Sequence, residues 1–380
     1  MNSSLRYALS ACAVAFALAG CDPEDGAKEF EQGRAAYELR DLNKAARLLE
    51  RSAELSPTNV DALVYLARTK LDQGDLAAAR GWIGKAAELA GGDLDVRLIS
   101  AQLAWHAKEY AEAAKLFSGI AEESGLGAEA CAQGWVGLGV VEMARERRDF
   151  ARVAFLRAIR LDRKNAAAWY HLGLLYRDAF GYLEAALEQF ETFVRLEASA
   201  SPKVQKVQRT TIPDLKEAIR RLTVDRPGVS KRDSAASAAA LAKGDEAAKK
   251  GAAKTAVQHY KAALEADPLS YPAAIGLAKA QLRADASPAG RRAALESYRR
   301  ACSIRHWAVS TFITAGALAA NIGSYAQAVE IYSRAVAASP ATVEAVDGLI
   351  RALQRVGGRQ DDARAYQAYR DFLVANRKKK

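Results

Sequence analysis

The sequence predicts an all-α chain, a solenoid of about nine helix-turn-helix repeats in two arrays. Three observations lead there. Small and apolar residues return in the same order every 34 residues along most of the chain. Half of the 380 residues are hydrophobic, 26% are charged and only nine are Pro, a balance that excludes collagen-like and disordered classes and leaves material for a sizeable core. Between the two arrays, the stretch from Val224 to Arg232 has breakers and charges but no apolar period.

The first twenty residues read as an export signal. Arg6 precedes an uncharged apolar run from Tyr7 to Ala17, too short for a comfortable membrane span. The run ends in Leu18-Ala19-Gly20-Cys21, which resembles the lipobox of bacterial lipoproteins. That resemblance implies cleavage before Cys21, acylation of its thiol, and a chain anchored in the bacterial cell envelope facing the periplasm. Each buried methylene contributes about 0.8 kcal/mol, so two or three acyl chains hold permanently where one would be marginal. Asp22 resembles the inner-membrane retention signal of enteric bacteria, and the choice between inner and outer membrane stays open. Residues 21–25 would be the tether. Of the four Cys, only Cys131 and Cys302 then remain, far apart in sequence and expected as free, mostly buried thiols.

The first array is expected over residues 26–199 as about five repeats. Gly33, Asp41-Leu42, Ala45, Leu49 and Pro57 align with Ala67, Asp75-Leu76, Ala79, Ile83 and later copies. Ala101, Tyr110, Ala113 and Phe117 fill the same slots in the third copy. Trp135-Val136-Gly137-Leu138-Gly139, Ala151 and Phe155 do so in the fourth. The fifth is clearest, with Trp169-Tyr170-His171-Leu172-Gly173-Leu174-Leu175-Tyr176, then Gly181, Ala186 and Phe190. This resembles the tetratricopeptide repeat, with its W-x₂-L-G-x₂-Y, A-x₃-F and closing Pro. The resemblance implies a right-handed superhelix of paired helices A and B. Its small residues sit where the two helices cross closely, and Pro ends helix B because it cannot continue one.

Residues 200–223 hold a single helix with Leu215, Ile219 and Leu222 on one stripe, expected to cap the apolar end of the fifth repeat. Residues 224–236 are expected as a linker. The second array, 237–376, carries about four repeats: Gly244, Ala256, Tyr260 and Pro268; then Tyr298 and Ala301 after about four inserted residues near Ser287-Pro288; then Gly316, Tyr325, Ala328, Tyr332 and Pro340; and a degenerate last copy. Residues 377–380 form a basic tail.

In the family that this sequence resembles, helix A lines a concave binding groove. Carried onto this chain, that rule gives Phe30, Arg34, Tyr37, Val64, Arg68, Leu71, Leu98, Gln102, Trp105, Val136, Val140, Met143, Tyr170, Leu174 and Arg177. About half of these are expected to be core. The protein-binding residues singled out are Arg34, Tyr37, Arg68, Gln102, Trp105, Tyr170 and Arg177, since aromatic and Arg side chains carry most interface energy. The chaperone-carboxylate variant of the family is excluded, because Phe30 and Arg34 occupy the slots that it fills with Lys and Asn.

The net charge of +10 is spread along the chain and reads as a solvated surface. Nucleic acid is not an expected partner of an exported protein. His106, His171, His259 and His306 show no metal spacing, and there is no C-x-x-C, G-x-S-x-G or Gly-rich phosphate loop. No enzyme activity, cofactor, metal or small-molecule substrate is therefore expected. The resemblance implies a lipid-anchored scaffold that binds an envelope protein or peptide in its groove, similar to repeat lipoproteins assisting pilus, secretin or outer-membrane assembly. The alternative is an accessory that binds peptidoglycan or a cell-wall enzyme.

Overall fold

The computed structural model describes residues 26–197, 201–223 and 232–377, so Cys21, the export signal and most of the basic tail lie outside the described residues. All regular structure among them is helical. None of their helices is long and apolar enough to cross a membrane. The chain divides into two compact units, Met1–Arg145 and Glu146–Lys380.

Unit 1 comprises α1 (Ala27–Glu38), α2 (Leu42–Leu55), α3 (Val60–Asp72), α4 (Leu76–Ala90), α5 (Leu94–His106), α6 (Tyr110–Ala121) and α7 (Ala128–Ala144). Each helix packs on its sequence neighbours. Acidic and amide caps start them: Asp41, Asn59, Asp75 and Asp93 accept from the backbone N–H of Lys44, Ala62, Ala78 and Val96. Such caps contribute about 1 kcal/mol apiece by satisfying N–H groups that the helix itself leaves free. The turns from A to B close through one residue in the left-handed region: Arg40 at φ 63°, Gly74 at 82° and Lys108 at 61°. Three residues on from the end of α1, the N–H of Asp41 donates back to the carbonyl of Ala36 at 2.9 Å, and Asp75 and Glu109 repeat that bond. Leu49, Leu63, Leu66, Ile83 and Ile99 form the continuous core, none more than 4% exposed. Gly33 shows why the eighth slot is small: a Cβ there would fall 2.8 Å from the Leu49 side chain.

Unit 2 begins with α8 (Arg148–Leu161), α9 (Ala166–Leu175), a π-turn at Tyr176–Phe180 and α10 (Leu183–Leu196). A helical segment then runs from Pro202 to Thr223 as α11 (Pro202–Lys206), a π-turn (Val207–Thr211) and α12 (Ile212–Thr223). It packs on α10. The face it buries is Val204, Val207, Thr211 and Leu215, while Leu222, expected on the apolar stripe, is 52% exposed. Eight further helices follow: α13 (Ser234–Lys249), α14 (Ala253–Ala266), α15 (Tyr271–Ala284), α16 (Pro288–Ile304), α17 (Val309–Asn321), α18 (Tyr325–Ala338), α19 (Val343–Arg355) and α20 (Gln360–Ala375). Here an aromatic ring on helix B is clamped by two glycines. A Cβ on Gly316 would lie 2.8 Å from the ring of Tyr332, and one on Gly348 would lie 2.2 Å from its other side. Gly244 and Gly276 hold Tyr260 in the same way.

Unit 2 differs from an open solenoid because α20 packs back against α8. Arg152 of α8 is completely buried and binds two distant helices, α18 and α20, as well as its own. Its guanidinium donates to the Tyr366 hydroxyl (2.5 Å), to the Ser333 hydroxyl (2.8 Å) and carbonyl (3.2 Å), and to Asp149 (2.8 Å). Tyr366 in turn donates to Asp149 (2.6 Å), and Arg359 donates to the other Asp149 oxygen (2.7 Å). Tyr182 donates to Ser333 at 3.0 Å, and Phe180 lies under the guanidinium at 4.5 Å. Burial by itself would favour losing the Arg152 proton, but Tyr366 and Asp149 outweigh it and hold the guanidinium charged.

This closure explains where the units part. Sequence spacing places the boundary between the arrays in 200–236, whereas the compact units separate at Arg145/Glu146, inside the fourth helix pair. Helix α8 is tied by Asp149 and Arg152 to α18 and α20, so it belongs with the C-terminal helices despite its place in the repeat pattern.

Candidate functional site

On the helix-A side of unit 1, α1 and α3 bring aromatic rings and guanidinium groups together. Phe30 and Tyr37 both meet the ring of Tyr65 edge to face, with centroids at 5.7 and 6.0 Å. Arg34 lies over Phe30 (5.9 Å) and Arg68 over Tyr65 (5.3 Å). Such pairs contribute about 0.5–1.5 kcal/mol beyond area burial and fix the rings. The cluster is rimmed by acid: Tyr37 donates to Asp72 at 2.9 Å, Arg40 pairs with Asp72 at 2.7 Å, Arg68 approaches Asp95 at 3.4 Å, and Arg34 pairs with Glu31 at 2.7 Å. Burial, with Asp72 accepting its hydrogen bond, pushes the Tyr37 hydroxyl up to about 12, so it stays a donor.

Of the expected groove residues, Tyr37 and Arg68 thus meet around the ring of Tyr65, and Arg34 joins them through Phe30. Tyr65, which organises them, occupies the sixth slot of its repeat and is not among the positions that the family rule selects. Val64, Leu71 and Leu98 are core, at 3%, 5% and 8% exposure. On α5, Gln102 is exposed, and Trp105 is half-buried against His106 with ring centroids at 4.5 Å. The Trp105 indole N–H is buried without a partner among the described residues.

Tyr170 and Arg177 belong to unit 2 and have other surroundings. Tyr170 packs on Phe193 (5.1 Å), and the ammonium of Lys203 from α11 sits over its ring at 3.7 Å. The chain's own helix therefore covers part of this face. Burial lowers the Lys203 pKa, while Glu197 acts the other way. Arg177 makes a two-point pair with Asp178 (2.5 and 2.8 Å) and lies over Phe190 at 5.7 Å.

His171 stacks on Phe155 at 5.8 Å, and burial, with Lys203 nearby, lowers its pKa to about 4. A neutral, packed imidazole suits a core role. Among the described residues, no three His, Cys, Asp or Glu groups stand close enough to hold a metal. Cys131 and Cys302 are buried free thiols. Burial pushes the Cys302 thiol up to about 12, away from the thiolate that a nucleophile needs.

A tetratricopeptide repeat model matches residues 36–88, the span from the end of α1 into α4. No curated protein matches the chain. Among solved structures, PilF of Pseudomonas aeruginosa is 17% identical, covering 52% of this chain and 91% of that one, with a TM-score of 0.41. MamA (41-end) of Desulfovibrio magneticus RS-1 is 17% identical over 47% of this chain and 98% of that one, at 0.37. YrrB, described as a TPR protein with an unusual peptide-binding site, is 16% identical over 47% and 90%, at 0.33.

Proposed function

We propose that this chain is a non-enzymatic tetratricopeptide scaffold that binds a partner protein on the helix-A side of unit 1 while anchored through Cys21 in the bacterial cell envelope. The observation that carries the binding half is the cluster of Phe30, Tyr37, Tyr65, Arg34 and Arg68. Its rings are held rigid by one another, its guanidinium groups are only partly covered, and this combination is enriched where interface energy concentrates. The match of residues 36–88 to the repeat supports a binding module on the same helices.

The anchoring half rests on Leu18-Ala19-Gly20-Cys21. Five residues separate Cys21 from the start of α1 at Ala27, a reach of at most ~18 Å for an extended chain. A partner on unit 1 would accordingly be held close to the bilayer, which suits assembly or recruitment there.

The test places a photo-crosslinking residue at Arg68 or Gln102 in living cells, with exposed Glu88 on α4 as the helix-B control, and identifies adducts by mass spectrometry. One envelope protein captured from both helix-A sites and not from Glu88 is the expected result. Equal capture at all three sites, or capture of peptidoglycan fragments instead, would overturn it. Palmitate labelling lost on Cys21→Ser tests the anchor separately.

A further inference from the structure

Unit 2 contains a cavity of about 430 Å³ on the helix-B side of its first repeat, between α8, α10, the turn after α18, and α20. That volume lies within the range of sites that hold ligands or peptide side chains. Its floor is apolar, with Leu156, Leu172 and Leu373 among the lining residues. Three guanidinium groups, Arg160, Arg163 and Arg195, face it against one carboxylate, Glu188. Among the described residues none of the three has a carboxylate within 4.0 Å. The lining therefore carries three guanidinium groups against one carboxylate. Arg195 makes only a neutral bond, to the Thr192 hydroxyl at 3.2 Å.

A second observation points the same way. Gln189 lines this cavity and is 5% exposed. Its N–H₂ and carbonyl together match the donor and acceptor of one peptide unit. The walls are fixed independently of any ligand: the Trp169 indole donates to the Arg163 carbonyl at 2.9 Å, and Tyr369 donates to the Pro340 carbonyl at 3.2 Å.

The geometry points to a second peptide-binding site here, for an acidic segment of a partner protein that sets an apolar side chain on the leucine floor, its carboxylates against Arg160, Arg163 and Arg195, and its backbone against Gln189. Guanidinium forks match carboxylates two bonds at a time, which favours this occupant over a neutral or basic one. The inference rests on the protein-binding reading and adds the partner's chemistry. It also moves recognition to helix-B surfaces, which the family rule leaves out.

The test selects a random dodecapeptide phage library on the purified full chain, then measures binding of the labelled consensus peptide by fluorescence anisotropy. Expected is a consensus with several acidic residues around an aliphatic or aromatic one, weakened at least about tenfold by Arg160→Gln/Arg163→Gln/Arg195→Gln and by raised salt. Arg291→Gln/Arg292→Gln on α16 should leave binding unchanged. An unaltered thermal transition establishes that the triple variant is folded, and Arg195→Gln alone, at an exposed site, provides a milder step in the same direction. A consensus without acidic residues, or one indifferent to the three arginines, overturns the inference and leaves protein binding on unit 1 standing. No enrichment of any peptide overturns it and counts against the protein-binding reading as well.

Discussion

Unit 1 and unit 2 are built from the same helix pair, yet different kinds of residue hold them together. In unit 1 each helix packs against near neighbours in sequence, and the core is aliphatic. In unit 2 the same neighbour packing is present, but a buried polar group joins residues 181 to 217 positions apart. The repeat pattern specifies only how one helix meets the next. What decides whether a row of repeats stays open or closes is a handful of residues that obey no period, here Asp149, Arg152, Ser333 and Tyr366.

Removing one member of that group should break the comparison most sharply. Arg152→Met leaves Asp149 buried without its main partner, so a loss of about 3–5 kcal/mol is expected in the unfolding of unit 2. Hydrogen exchange should show α20 losing protection while α1 to α6 keep theirs. Equal loss in both units would mean that the closure is not a local property of unit 2.

A pH titration sharpens the same contrast. His171, in unit 2, has its pKa lowered from 6.5 to about 4, so between those values the unfolded chain binds the proton and the folded chain does not. Stability is therefore full above pH 6.5 and falls as the pH drops toward 4, by on the order of 3 kcal/mol in total. Thermal melts across pH 4–7 should show this slope, and His171→Gln should flatten it. The smallest effect belongs to unit 1. Lys108 holds φ at 61° in a turn where Gly74 stands one repeat earlier. Lys108→Gly is expected to raise the stability of unit 1 by up to about 1 kcal/mol, read from urea midpoints.

The helix pairs were legible in the sequence because their causes are local. A cap such as Asp75, a turn residue such as Gly74 and a small residue such as Gly33 or Gly348 each act within one or two helices. The Tyr37 and Arg68 cluster was legible for the same reason, since both lie on helix-A faces of consecutive repeats. Arg152 was not, because a charged residue on helix B reads as solvent-facing until the helix that buries it, two hundred residues later, is known. Arg160, Arg163 and Arg195 were missed similarly: their significance comes from the wall that α20 and the turn after α18 set opposite them. Leu222 marks the converse error, an apolar slot that its stripe leaves exposed.

The bond from Arg152 to Tyr366 spans 214 positions, which gives the molecule a kinetic order as well as a shape. Closing a loop of that length in a featureless chain costs about 5 kcal/mol of entropy, so it is poorly suited to begin folding. The neighbour contacts form over short separations and come early, and each folded repeat shortens the effective loop still open. Because Tyr366 lies so far along the chain from α8, Arg152 stays hydrated until α20 has been made. A chain truncated before Gln360 would lack Tyr366, leaving Arg152 and Asp149 of α8 without that partner, so closure of unit 2 waits on α20.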